Sequence, residues 1–172
     1  MVGVPGDADV IVSFSTLTRT ETSRAFVGKD PHLSFNRRRW AVYSPNQGTN
    51  NVHVLSGFGL DPIDIIDIPG AHGAIMSRDS RRFYTTNLPG GGTDAIFSID
   101  TRTHEIIGEP THTPFAVPHN LALTRRGRKL YVTHSGATSD KVSVFRVSRR
   151  GNLTFETSVD VGLNPFGLAI VR

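Results

Sequence analysis

The 172-residue chain contains no cysteine, which excludes disulfides and thiolate metal sites. No apolar run approaches the ~18–20 residues that a membrane-crossing helix needs. The opening stretch, MVGVPGDADV, lacks the basic start and apolar core of a signal peptide. A soluble protein of the cytoplasm or periplasm is therefore expected. There is no H-E-x-x-H pair and no G-x-S-x-G elbow, so a metalloprotease helix and a hydrolase of the elbow type have no support. No window of eleven or more residues sustains apolar positions at spacings of three and four, which leaves helices without a signal. Lysine is scarce, with 3 Lys against 16 Arg at a net charge of +4. That modest basic excess supports weak attraction to acidic partners.

What is present points to β-structure. The hydrophobic content of 37% and charged content of 20% fit an ordinary folded domain. Seventeen glycines and ten prolines fall as punctuation between short apolar runs. Three stretches then align: RRWAVYSPNQGTNNVHVL from Arg38, RRFYTTNLPGGGTDAIFSID from Arg81, and RKLYVTHSGATSDKVSVFRV from Arg128. Each has basic residues, a strand with an early aromatic or apolar residue (Trp40, Phe83, Leu130), a polar or glycine-rich loop, and an alternating strand. The recurrence, every 43 and 47 residues, is close to the ~40–50 residues of a propeller blade.

Short runs opened by Pro or Ala precede these hairpins: PHLSF, AHGAIMS and PHNLALT, with PFGLAIV following the third. Apolar segments follow each hairpin, giving four strands per repeat, the count of a propeller blade. The expected architecture is all-β: antiparallel four-stranded blades at about 31–67, 72–108 and 119–161, with part-blades at 9–27 and 165–172. The ring is incomplete in this chain. A β-sandwich is the structural rival, and the threefold internal similarity favours the propeller.

PHNLALTRRGRKLYVTHSGATSDKVSVFRV resembles a blade of the YVTN-repeat and lactonase-like seven-bladed propellers, and GNLTFETSVDVGLNPFGLAI resembles their passage to the next blade. The resemblance implies architecture rather than activity, because such propellers include lactonases, copper oxidoreductases and pure binding modules. Two positions depart from the pattern. His134 stands where the motif has Asn, and Phe166 follows Pro165 where lactonase-like members carry Arg, which weakens the case for lactone hydrolysis.

Propeller topology sorts the loops. One face collects His32, His72, Asn87, Asp94, His119, His134 and Asp140 as candidate ligand-binding residues at a channel mouth. Of these, His72, His119 and His134 are the candidate metal ligands, with copper or zinc the metals that suit imidazole. A structural role for the same imidazoles, bonding loop backbones, is the competing reading. The opposite face collects the arginine turns, with Arg38, Arg82, Arg125, Arg126 and Arg128 the principal candidates for an acidic partner. No aromatic platform interleaves these charges, so nucleic acid is not expected as a partner. The PGGGT turn at 89–93 matches no phosphate-binding spacing.

The expected function is a binding or scaffold module with a small-molecule or protein ligand at the histidine-bearing mouth. The alternative is a lactonase-like hydrolase or a histidine-ligated copper oxidoreductase. A second copy or a partner chain is expected to complete the ring, because repeat proteins draw their stability from interfaces between neighbouring units.

Overall fold

A computed structural model describes residues 2–4, 9–88 and 93–171; the glycine-rich turn at 89–92 lies outside them, as does Arg172. The described residues fold as four antiparallel sheets in chain order. The first holds β1 (Val2–Val4), β2 (Val10–Phe14) and β3 (Glu21–Phe26). The second holds β4 (Ser34–Asn36), β5 (Ala41–Asn46), β6 (Asn51–Ser56) and β7 (Pro62–Asp67). The third holds β8 (Ala71–Met76), β9 (Arg82–Asn87), β10 (Ala95–Asp100) and β11 (Thr111–His112). The fourth holds β12 (Pro118–Leu123), β13 (Lys129–His134), β14 (Lys141–Val147) and β15 (Leu153–Asp160). Strands in each sheet pair in sequence order, the up-and-down meander of a propeller blade. Among the described residues no helix is long and apolar enough to cross a membrane.

Period-two burial explains how the blades stack. Between the second and third sheets, Tyr43, Val52, Val54, Ile68, Phe83, Ala95 and Ile99 form one buried cluster. Tyr43 and Phe83 stack there at 4.9 Å between ring centroids, a pair worth about 0.5–1.5 kcal/mol beyond its buried area. A second cluster, with Tyr84, Ile96, Leu130, Val132 and Phe145, joins the third and fourth sheets. Ile11, Val42, Leu55 and Leu60 join the first and second. Each middle sheet therefore buries both faces against neighbours, as a propeller requires.

The structure differs from the sequence expectation in four places, the first being that β1 pairs with β2, so the part-blade expected at 9–27 has a further strand at Val2–Val4. Trp40 lies in the turn before β5, at φ 53° and 45% exposed. Ala41, the first residue of β5, takes the place in its sheet that Phe83 and Leu130 take in theirs, opposite the last residue of the innermost strand. The third sheet runs past 108: Ile106 makes one isolated bridge to Ile99, and β11 resumes only at Thr111. Gly108 at φ 64° and Pro110 break the ladder between them. Finally, the stretch from 165 forms no strand. It lies against β12 and β13, where Phe166 O accepts bonds from Asn120 Nδ2 at 2.9 Å and Thr133 Oγ1 at 3.2 Å. The described residues contain no second strand of that unit, so it has no backbone ladder to join.

Each turn between an innermost strand and its partner holds one left-handed residue: Trp40, Ser80 or Gly127. At Gly127 (φ 64°) an added Cβ would meet nothing closer than Leu123 Cδ2 at 4.0 Å. Gly127→Ala should therefore lose about 1 kcal/mol through backbone conformation alone. Urea unfolding measures this, and an unchanged midpoint would show that the turn relaxes.

Candidate functional site

The innermost strands β8 and β12 share an irregularity at their first turn into the sheet. Ala71 pairs with Asn87 and Ala74 with Thr85, so His72 and Gly73 together oppose Thr86. Pro118 pairs with His134 and Leu121 with Val132, so His119 and Asn120 together oppose Thr133. Each is a bulge, which re-aims a side chain and twists the strand locally. The threonine opposite each bulge has one repeated job. Thr86 Oγ1 accepts from Gly73 N at 2.9 Å and donates to His119 O, in the next blade, at 2.7 Å. Thr133 Oγ1 accepts from Asn120 N at 3.0 Å and donates to Phe166 O at 3.2 Å. In the second sheet Pro45 takes this place, and its carbonyl accepts from His32 N at 2.8 Å.

This relay sets four rings in a row. Centroids of His32 and His72 are 3.9 Å apart, those of His72 and His119 4.4 Å, and those of His119 and Phe166 4.0 Å. Gly73 makes the approach possible, since a Cβ there would collide with His119 O and Thr86 Oγ1. Phe166 was legible in the sequence as the second residue of PHL, AHG, PHN and PFG. The threonines were visible only as letters of a motif, because their bonds cross between blades.

Hydrogen bonds fix the character of each ring. Gln47 Oε1 lies 3.2 Å from His72 Nδ1, and an amide oxygen only accepts, so Nδ1 carries the proton. His72 Nε2 is then an acceptor, buried and without a partner among the described residues. Asn120 Nδ2 donates to His119 Nδ1 at 2.8 Å as well as to Phe166 O. His119 Nδ1 also lies 3.3 Å from Phe166 O, so the Phe166 carbonyl and the Asn120 amide both meet the same ring nitrogen.

Burial holds the row neutral. Desolvation pushes the His72 pKa down to about 3, helped by the neighbouring His32 and His119. His32 is lowered by desolvation and by His119, against a small opposing pull from Asp30. His119 is lowered by desolvation, partly offset by the Phe166 carbonyl.

His134 does not join them. Its Nδ1 donates to Ala116 O at 3.0 Å, its Nε2 accepts from Ser143 Oγ, and the side chain is fully buried. Both nitrogens are spent tying loops, so the expected trio of His72, His119 and His134 is not assembled. Among the described residues, no group of three His, Asp or Glu side chains is arranged to hold a metal ion. Asn87 is likewise buried, donating to Thr93 Oγ1 and accepting from Ala95 N. Asp94 Oδ1 accepts from Val117 N at 2.8 Å, and Asp140 pairs with Lys141 at 2.7 Å. These four residues brace the top loops rather than face the row.

At the other end of the strands the arginines converge. Arg38, Arg82, Arg125, Arg126 and Arg128 all line one cleft of about 550 Å³, together with Arg78, Arg81 and Arg149. Arg78, in the β8–β9 turn, was missed because it stands apart from the basic pair at 81–82.

The four sheets, their meander order and their stacked cores define a β-propeller fold. Solved structures carry the same conclusion. Hydrazine synthase of Kuenenia stuttgartiensis superposes with a TM-score of 0.77 at 19% identity, over 90% of this chain and 44% of that one. A putative 6-phosphogluconolactonase from Bacteroides uniformis gives 0.74 at 19% identity, over 91% and 50%. The periplasmic gluconolactonase of Pseudomonas aeruginosa gives 0.67 at 22%, over 81% and 43%. The chain thus spans about half the length of the propellers it resembles. No family model and no curated protein sequence matches it.

Acid should destabilise this site. An unfolded histidine binds a proton below about pH 6.5, whereas His72 in the fold resists doing so down to about 3. Stability is therefore complete above pH 6.5 and falls as the pH drops from there toward 3. His72→Phe, which copies the ring already present at Phe166, should flatten that fall. Urea midpoints of both proteins between pH 7 and 4 check this, and parallel curves would reject it.

Proposed function

We propose that the chain is a propeller binding module whose ligand is a small polyhydroxylated molecule held at the histidine row. The observation that carries this reading is the buried His72 Nε2, which has no partner among the described residues. Leaving such an acceptor unbonded costs about 1–3 kcal/mol. A ligand hydroxyl can donate to it. His32, the least buried of the three, is the ring that moves to admit it. A second half-propeller, from another copy or a partner chain, closes the channel around the site. The open ends support this, with Phe26 78% and Phe166 62% exposed.

The test follows the imidazole resonances by NMR while D-glucose and its δ-lactone are titrated in separate experiments. Saturable shifts at His72 and His119 are expected, with the affinity read at His119 at least tenfold weaker in His72→Phe. No saturable shift with either compound, or the same affinity in the variant, would overturn the reading. On light scattering we expect a mass above that of one chain, and a stable monomer would count against ring completion.

A second reading, hydrolysis of a sugar lactone, draws on the fold likeness to the gluconolactonases. Water would add to the ring carbonyl, the ring C–O bond would break, and the departing alkoxide would take a proton. His72 is a weak base for that step at neutral pH, which ranks this reading second. Base uptake in a pH-stat with the δ-lactone, compared with buffer alone, separates hydrolysis from binding.

A further inference from the structure

The arginine cleft lies at the far end of the innermost strands from the histidine row. Beside Arg38 from the second blade and Arg82 from the third, turns of two adjacent blades bring together Arg78 and Arg81 from the third with Arg125, Arg126, Arg128 and Arg149 from the fourth. Of the carboxylates, only Asp79 reaches the lining. Asp79 Oδ1 is already engaged by Ser77 Oγ at 2.7 Å and Arg81 N at 3.1 Å. None of those six guanidinium groups makes an ion pair among the described residues. A solvated rim of isolated charges would not need this convergence, and mutual repulsion opposes it.

The walls are also fixed. Arg82 donates through Nε to Arg150 O at 3.1 Å and through Nη1 to Asp100 at 3.3 Å. Ser98 Oγ donates to Gly151 O, which ties the fourth blade's outer turn to the third blade. Thr124 Oγ1 accepts from both Arg128 N and Lys129 N. The cationic turns are thus held by their backbones while the guanidinium ends stay free.

Volume and chemistry narrow the occupant. About 550 Å³ lies within the range of small-ligand pockets. The lining has no aromatic side chain on which a base could stack. Arginine in place of lysine suits bidentate contact with phosphate oxygens. We propose that this cleft binds a small oligophosphate, a ligand carrying three or more phosphate groups, bridging the third and fourth blades.

Calorimetric titration of the full chain with inorganic tripolyphosphate at 0.1 M salt tests it. Saturable binding is expected, weakening as added salt shortens the Debye length from ~10 Å toward ~3 Å at 1 M. The double variant R81Q/R126Q, one change on each wall, should lose at least tenfold in affinity. The variant R24Q/R146Q removes the same charge from outside the cleft and should bind within twofold of the parent. Exposed positions were chosen so that both variants fold, which thermal unfolding verifies. Absent tripolyphosphate binding would overturn the proposal, as would equal losses in the two variants. Binding of a twelve-residue oligothymidylate in preference to tripolyphosphate would also overturn it, and would reassign the face to nucleic acid.

Discussion

One hydroxyl does much to set the inner geometry of this propeller. Thr86 Oγ1 takes the N–H freed by the bulge at Gly73 and gives its own proton to the carbonyl of His119. The strand irregularity that aims His72 is thereby satisfied by the same atom that attaches the next blade. Without it, a buried amide and a buried carbonyl would both need new partners. The side-by-side approach of the imidazoles depends on this link and on the missing Cβ of Gly73. Thr133 repeats the arrangement one blade further on, so the row extends by repetition of a single device.

The two ends of the blades have opposite electrostatic characters. At the histidine end, polar groups are buried and nearly all paired, and desolvation holds the imidazoles neutral. At the arginine end, charges gather into a cleft, and apart from Arg82, which pairs with Asp100, its guanidinium groups make no ion pair among the described residues. Neutral donors and acceptors in a dry setting select for hydrogen-bonding shape. Free guanidinium groups in a wet cleft select for charge. The same set of strands carries both ends because strand length separates them, each innermost strand of the third and fourth sheets spanning six residues at about 3.3 Å each.

Much of the architecture is legible in the sequence. Alternation in KVSVFRV, the recurring hairpin and the Pro- or Ala-led inner runs describe strands and turns that are local, and local preferences act within a few residues. The differences are local too. Trp40, an aromatic, has the composition of a strand head, whereas the turn holds a left-handed residue there and strand β5 begins one position later. The part-blade expected from 165 has the composition of a strand, but a strand exists only where a partner supplies its ladder.

For the site, the sequence alone shows a ring residue at the second position of four recurring runs: His32, His72, His119 and Phe166. It also determined that arginines crowd the opposite turns. The fold, not the spacing, spends His134 on Ala116 and Ser143 and leaves His72 Nε2 without a partner among the described residues. The physical reason is that hydrogen bonding in a buried site is a competition among groups far apart in the chain. Gln47 meets His72 from the preceding blade, and Asn120 and Phe166 both meet His119 Nδ1. Spacing along one strand cannot report bonds made between blades, and those bonds settle whether a histidine is a brace or an open acceptor.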